Sequence, residues 1–270
     1  MRYVRIPLRV PRDADELLPC DSKLRSAIVD ECFEEFLGGF SWHLRVSGTV
    51  HAYSRTGNKN RYMHSLVKPS PANLEVDHAG CNALDDRWSS LRWATRKQNV
   101  SNMRMPEGAA SAYKGVKTNH ENWAGQIALK HLPKHMTAAD GAISCTHASE
   151  LHCALWYEAV ARQVHGEWHN GSFNDVSDAA LLGAAMAEGV DLVDASNPGE
   201  SQGSGNRRRI YNTLAPEAWL QRVAEKRKAD KAEMLARDIA AFDYAKIHGL
   251  PGHPIRERKV TLEELQGDMQ

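Results

Sequence analysis

Leu74-Glu75-Val76-Asp77-His78, followed by Asn82, Leu84-Asp85-Asp86-Arg87, Leu91-Arg92-Trp93-Ala94-Thr95 and Gln98-Asn99, is the stretch that decides the reading of this 270-residue chain. It sets a carboxylate, an imidazole and a carboxamide within 22 positions of one another, residue types that could hold one divalent metal and polarise one water. Histidine suits the base, because its ordinary pKa of ~6.5 leaves it neutral and proton-accepting at physiological pH. Asp77 and Asn99 suit the metal, since magnesium prefers oxygen ligands and takes only one or two protein groups beside a substrate phosphate. Asp77 and His78 are neighbours, so on an extended strand they point to opposite faces, and only a bend would let both serve one site. The implied unit is two strands joined by a loop, then a short helix over Ala94 to Asn102 that returns to close over a metal.

Those residues resemble the ββα-metal core of HNH endonucleases, in the subgroup found among phage and intron-encoded homing enzymes. The resemblance implies a DNA phosphodiester hydrolase with His78 as general base and with Asp77 and Asn99 holding one Mg2+, or Mn2+ in its place. Ala27-Ile28-Val29-Asp30-Glu31, Phe40-Ser41-Trp42 and Tyr62-Met63-His64-Ser65-Leu66-Val67 look like the segment preceding that core in many phage members. Two positions depart from the pattern: Asp86 and Ser90 stand where the family usually carries asparagine, Ser90 at the middle N of the name. The family's asparagine there braces the loop and orients the base. Serine can still donate and accept, over a shorter reach. The competing reading is therefore a DNA-binding protein, or an accessory subunit of a nucleic-acid machine, that kept the scaffold and lost cleavage.

Downstream, Ser111 to Lys117, Asn122 to Ile127, a helical stretch from Ala148 to Gly166, and Trp168-His169-Asn170 are similar to an AP2 domain. The resemblance implies a three-stranded antiparallel sheet on one helix, with the sheet laid in the major groove of double-stranded DNA. Alternation of apolar and polar residues over Tyr113–Thr118 and Trp123–Leu129 independently suggests half-buried strands. Thr146 is the expected N-cap, and Leu151, Ala154, Leu155, Ala161 and Val164 the expected apolar stripe. Lys114, Lys117, Trp123, Gln126 and Lys130 are the candidate DNA contacts of this module.

The chain is formally neutral, yet residues 43–130 hold 13 Lys+Arg against 6 Asp+Glu and residues 131–206 hold 2 against 10. Positive charge is thus concentrated in the segment that the motifs nominate for DNA, where phosphate contacts would give salt-dependent affinity. Arg55, Lys59, Arg61, Lys68, Arg92, Arg96 and Lys97 are the remaining candidates.

The expected fold class is α+β. Residues 1–105 form an N-terminal lead and nuclease domain, 106–174 the AP2-like domain, 175–206 a helix and flexible linker, and 207–270 a C-terminal helical region. In that last region Trp219, Leu220, Val223, Leu235, Ile239 and Phe242 form the buried stripe of a helix from Pro216 to about His248, a packing helix or the docking point for a second copy or a protein partner. Arg207-Arg208-Arg209 or Lys226-Arg227-Lys228 could add DNA contacts. Five cysteines without CxxC spacing support neither a disulfide framework nor a zinc knuckle, which fits a reduced, cytoplasmic setting. The Ala/Leu-rich segment from Val176 to Val193 is too short and too interrupted by charge to span a membrane. His64, His147, His152, His165 and His169 are taken as surface or internally satisfied histidines. Gly-rich phosphate loops and nucleophilic serine or cysteine motifs are missing, which argues against nucleotide-driven motors and acyl-type hydrolases.

Overall fold

The structure is a computed structural model that describes residues 2–10, 25–47, 49–56, 58–106, 108–128, 142–196 and 212–250. It is α+β, with four small antiparallel sheets and short helices, in two compact units: residues 1–96 with 234–270, and residues 97–233.

In the first unit, β1 (Tyr3–Pro7) pairs antiparallel with β2 (Ser26–Asp30). Alternation along β2 sinks Ala27 and Val29 into the core. A 3-10 turn over Glu31–Phe33 and helix α1 (Glu34–Gly38) follow, burying Phe33 and Leu37. Next come β3 (Trp42–Ser47), β4 (Thr49–Thr56) and β5 (Lys59–Tyr62), a three-stranded meander in which β4 is central. Helix α2 (Met63–Val67) then buries Met63 and Val67. β6 (Glu75–His78) and β7 (Leu91–Ala94) form a two-stranded ribbon registered Asp77 to Arg92 and His78 to Leu91. A single core joins these pieces, from Ile6 and Leu44 through Trp88 and Trp93 to Ala241 and Ala245.

The second unit begins within helix α3 (Arg96–Asn102), which follows β7 after one residue. β8 (Val116–Asn119), β9 (Asn122–Ala128) and β10 (Ala142–His147) make a three-stranded antiparallel sheet with β9 in the middle. Helix α4 (Glu150–His165) packs on it. At Gly125 a Cβ would stand 2.8 Å from the Cys153 carbonyl oxygen, so glycine there sets how closely helix and sheet approach. The helix is capped by Ser149, whose Oγ accepts from the His152 amide at 3.1 Å. Thr146, the expected cap, lies inside β10. Ten consecutive residues of α4, Cys153 to Arg162, are buried, so this helix is enclosed on all sides and Leu151 is left exposed outside that run. Helix α5 (Asp178–Ala187) and the start of helix α6 (Pro216–Ile247) complete the same core through Leu181, Ala185, Val193, Trp219 and Val223. Residues 106–174 and 175–196 therefore share one hydrophobic interior rather than forming separate modules.

The long helix α6 contributes to both units. Trp219 and Val223 are fully buried as expected, but the stripe does not continue through Leu235 and Ile239; Ile239 is exposed. From Met234 onward the buried positions are Ala241 and Ala245, small residues that let the helix approach the first unit's core, with Tyr244 edge-on to Trp93. Most of the linker Ser196–Asn206, the triplet Arg207-Arg208-Arg209, Cys20 and Lys130 lie outside the described residues. Among the described residues the four cysteines are free thiols, and no helix is long and apolar enough to cross a membrane.

Lys68, a candidate DNA contact in sequence, is almost wholly buried instead. Its Nζ donates to the Leu91 carbonyl at 2.7 Å, pairs with Asp238 and lies 4.6 Å over the Trp88 ring. Burial pushes its pKa down, opposed by Asp238. The cation thus ties α2, β7 and α6 within one unit. Replacing Lys68 by Ala is expected to destabilise the protein by about 2–4 kcal/mol in urea unfolding, through lost packing and an unanswered Asp238. Lys68→Met, which keeps the aliphatic stem, should cost visibly less.

Candidate active site

β6 ends in Asp77 and His78, consecutive residues of a strand, and the structure gives them different partners. Asp77 is buried, and its Oδ2 accepts from Arg92 Nε at 2.8 Å across the ribbon. His78 turns to Asp86: its Nε2 is 2.8 Å from Asp86 Oδ1, with both side chains buried. The two residues stay in the paired strand, registered to Arg92 and Leu91 respectively, as successive residues of a strand do.

Asp86 is placed by β2. The Ile28 amide donates to the Leu84 carbonyl at 2.8 Å, the Asp86 amide donates to the Ile28 carbonyl at 2.8 Å, and the Trp88 amide donates to Asp30 Oδ2 at 2.8 Å. The segment Ala27-Ile28-Val29-Asp30 thereby clamps the loop before β7 from below. The far end of the loop is fixed by the Ala79 amide on the Ser90 carbonyl at 2.9 Å and by a turn at Cys81, a non-glycine residue in the left-handed region at φ 54°. Ser90 is half-buried, and its hydroxyl bonds to Asp85, which also holds Arg87 Nε at 2.7 Å and Nη2 at 2.6 Å. Ser90 braces the loop mainly through its backbone, then, and Asp86 orients the imidazole.

A second group of rings closes around His78. His64 from α2 lies 5.2 Å from it, edge to face, and His51 from β4 lies 5.6 Å from His64 and 6.3 Å from His78, measured between ring centres. Tyr62 stacks on His64 at 5.6 Å, and its hydroxyl accepts from Arg45. Burial, with His78 and His51 nearby, pushes the His64 pKa down to about 3. His51 is lowered as well, first by burial and then by His78 and Arg45. Asp86 is raised, because a fully buried carboxyl group loses its hydration and His78 only partly compensates. In the sequence His64 passes for an ordinary histidine, His51 belongs to no motif and Asp86 is only a departure from a pattern. The one local hint was the Tyr62–Val67 segment itself, whose histidine meets His78 only through tertiary packing.

Ligand atoms of His64, His78 and Asp86 lie within 4.8 Å of one another, the grouping among the described residues that could hold a metal ion. Asp77, the expected magnesium ligand, offers a hard oxygen held in place by Arg92. Asn99, its expected companion, sits on α3 in the second unit.

The candidate DNA contacts divide into surface and internal groups. Arg55, Lys59, Arg61 and Arg96 are exposed in the first unit; Arg61 lies 6.0 Å over Phe40 and Arg96 reaches Glu75 at 3.4 Å. Arg92 is committed to Asp77. In the second unit Lys117 and Gln126 are exposed and joined by a 2.9 Å hydrogen bond on the sheet face opposite α4, where Ser144 and Thr146 are also exposed. Trp123 is on the other face, half-buried against Cys153 and Ala154, because successive residues of a strand alternate. Lys114 is internal: its Nζ donates to the carbonyls of Ser101, Met103 and Asn170, each at 2.7 Å. Lys97 is half-buried and its pKa is lowered by burial and by Lys226.

These inward cations surround His165, whose pKa falls to about 3 through burial first, then His169, Lys97, Lys114 and Lys226. Its Nδ1 is 3.1 Å from Ser101 Oγ. His169 Nε2 bonds Glu158 at 3.1 Å, and Glu158 also accepts from Arg162, while His169 Nδ1 is buried without a hydrogen-bond partner among the described residues.

No family model matches the chain, and no solved structure matches it. One curated relative is Protein 3.8 of Escherichia phage T7, 26% identical over 102 residues, covering 37% of this chain and 77% of the phage protein.

The fold keeps His165 neutral, whereas the unfolded chain protonates it below ~6.5. Stability is therefore full above that pH and falls as the pH drops from 6.5 toward 3, because the unfolded state binds the extra proton. Urea midpoints measured at intervals from pH 7 to 4 should decline, and His165→Gln should make the decline shallower.

Proposed function

We propose that the chain is a metal-dependent DNA endonuclease in which His78 takes the proton from the attacking water. The observation that carries this reading is the buried His78–Asp86 pair, held on a β-ribbon by a loop clamped from β2. A carboxylate at Oδ1 accepts the Nε2–H of the ring, which puts the basic lone pair on Nδ1 and keeps the ring from rotating. Asp86 thus acts as a positioning residue for the base. Asp77, oriented by Arg92, is the oxygen donor in the first unit that suits magnesium or manganese; such an ion, when bound, supplies charge to the phosphate and the leaving oxygen. Affinity for the duplex is assigned to the exposed Arg55, Lys59, Arg61 and Arg96 of the first unit and to the polar sheet face carrying Lys117 and Gln126 in the second, the AP2-like part of the reading. The partial likeness to a phage protein suits a phage-encoded enzyme.

The test is cleavage of duplex DNA by the purified chain under Mg2+ or Mn2+. Cutting is expected, with His78→Ala lowering the rate at least roughly 10²–10⁴-fold, the usual contribution of a general base, while salt-sensitive binding persists. Asp86→Ala should lower kcat with little change in KM, because it frees the ring without touching DNA. Salt-sensitive binding with no cutting under either metal would overturn the nuclease reading in favour of a DNA-binding protein on the same scaffold.

A further inference from the structure

We propose that His64, His78 and Asp86 form a site for one divalent ion of the borderline, nitrogen-preferring class, such as zinc or cobalt(II), distinct from the oxygen-liganded ion of the nuclease reading. Three independently anchored segments supply the ligands: α2 gives His64, the end of β6 gives His78 and the β2-clamped loop gives Asp86. Their ligand atoms already lie within 4.8 Å of one another. A tetrahedral ion with bonds of about 2.0–2.1 Å needs those atoms roughly 3.3 Å apart, a closure that side-chain torsions can supply. The second oxygen of the carboxylate, Asp86 Oδ2, is buried and has no hydrogen-bond partner among the described residues. Proteins rarely leave such an oxygen unanswered, and a coordinated ion would answer it. Two imidazoles and one carboxylate, with the fourth position left to water, suit zinc; magnesium, which prefers oxygen throughout, should be rejected.

Occupation has a consequence for the base, a step that rests on the nuclease reading. The nitrogen that His78 turns to Asp86 is Nε2. A metal shared by the two residues bonds that atom, and the ring hydrogen then resides on Nδ1. The lone pair assigned to the attacking water is lost, so zinc at this site switches cleavage off without displacing magnesium.

Cobalt(II) serves as the probe, titrated into the full chain after chelator treatment. One equivalent is expected to bind with visible d–d absorption, to be displaced by zinc and to resist a large excess of magnesium. His64→Ala and Asp86→Asn should each abolish the absorption with an unchanged far-ultraviolet circular dichroism spectrum, whereas His165→Ala should keep it. In the unsubstituted protein, zinc should shift the ring nitrogen resonances of His64 and His78 together, a readout that requires no variant to fold. Absence of cobalt absorption, absorption that survives both substitutions, or unshifted ring resonances would each overturn the site. With cleavage as a second arm, one equivalent of zinc should slow magnesium-dependent cutting at least tenfold, and undiminished cutting by the zinc-bound protein overturns the switch. Failure of the zinc-free protein to cut under both magnesium and manganese defeats the nuclease reading alone, since the cobalt spectrum still decides the site.

Discussion

Three hydrogen bonds from β2 to the loop before β7 determine what His78 faces. Ile28 gives its amide and its carbonyl to Leu84 and Asp86, and Asp30 receives the Trp88 amide. With the backbone pinned on both sides of Asp86, its carboxylate stays beneath the imidazole although burial disfavours the charge. The effective cost of burying a carboxylate is several kcal/mol, more than one hydrogen bond to histidine returns. The neighbouring core residues Ala27, Val29 and Trp88 hold the clamp shut, so hydrophobic burial offsets an electrostatically unfavourable placement.

The elements whose determinants are local were legible in the sequence. The ribbon at Val76–His78 and Leu91–Ala94, the pairing of two strands on either side of Asn119 to Asn122, and the start of the long helix at Pro216 follow from alternation, turn residues and caps. The third strand, Ala142–His147, carried no comparable local signal. His64 and His51 joined the site only through the packing of α2 and β4 on β6, contacts between residues far apart in sequence. The stripe of α6 failed at Leu235 for a related reason. Where a helix must approach a core closely, alanine at positions 241 and 245 does the burying, and the larger apolar residues are turned to the side or to solvent.

The positive balance of residues 43–130 is a property of composition that carries no information on burial. Of the 13 cations in residues 43–130, Lys68 is a tether inside the core, Arg92 answers Asp77, Arg87 answers Asp85 and Lys114 closes three carbonyls. A cation that satisfies internal oxygens contributes stability and little field. What remains for a phosphate backbone is a smaller group, Arg55, Lys59, Arg61, Arg96 and Lys117 among the candidates, three of them clustered near the β4–β5 turn.

Asp86 and Ser90 entered as two separate departures from the pattern that the sequence resembles, and the geometry makes them one change. The resemblance implies an asparagine at position 90 that braces both the loop and the histidine, and serine has a shorter reach. Here its carbonyl holds the Ala79 amide and its hydroxyl bonds Asp85, which in turn fixes Arg87. Orientation of the ring passes to position 86, where the side chain is a carboxylate at 2.8 Å rather than an amide. A carboxylate is the stronger acceptor for an imidazole N–H and, unlike an amide, is also a strong ligand for a transition metal. A carboxylate at position 86 thus sets a group able to ligate a metal directly against the His78 imidazole.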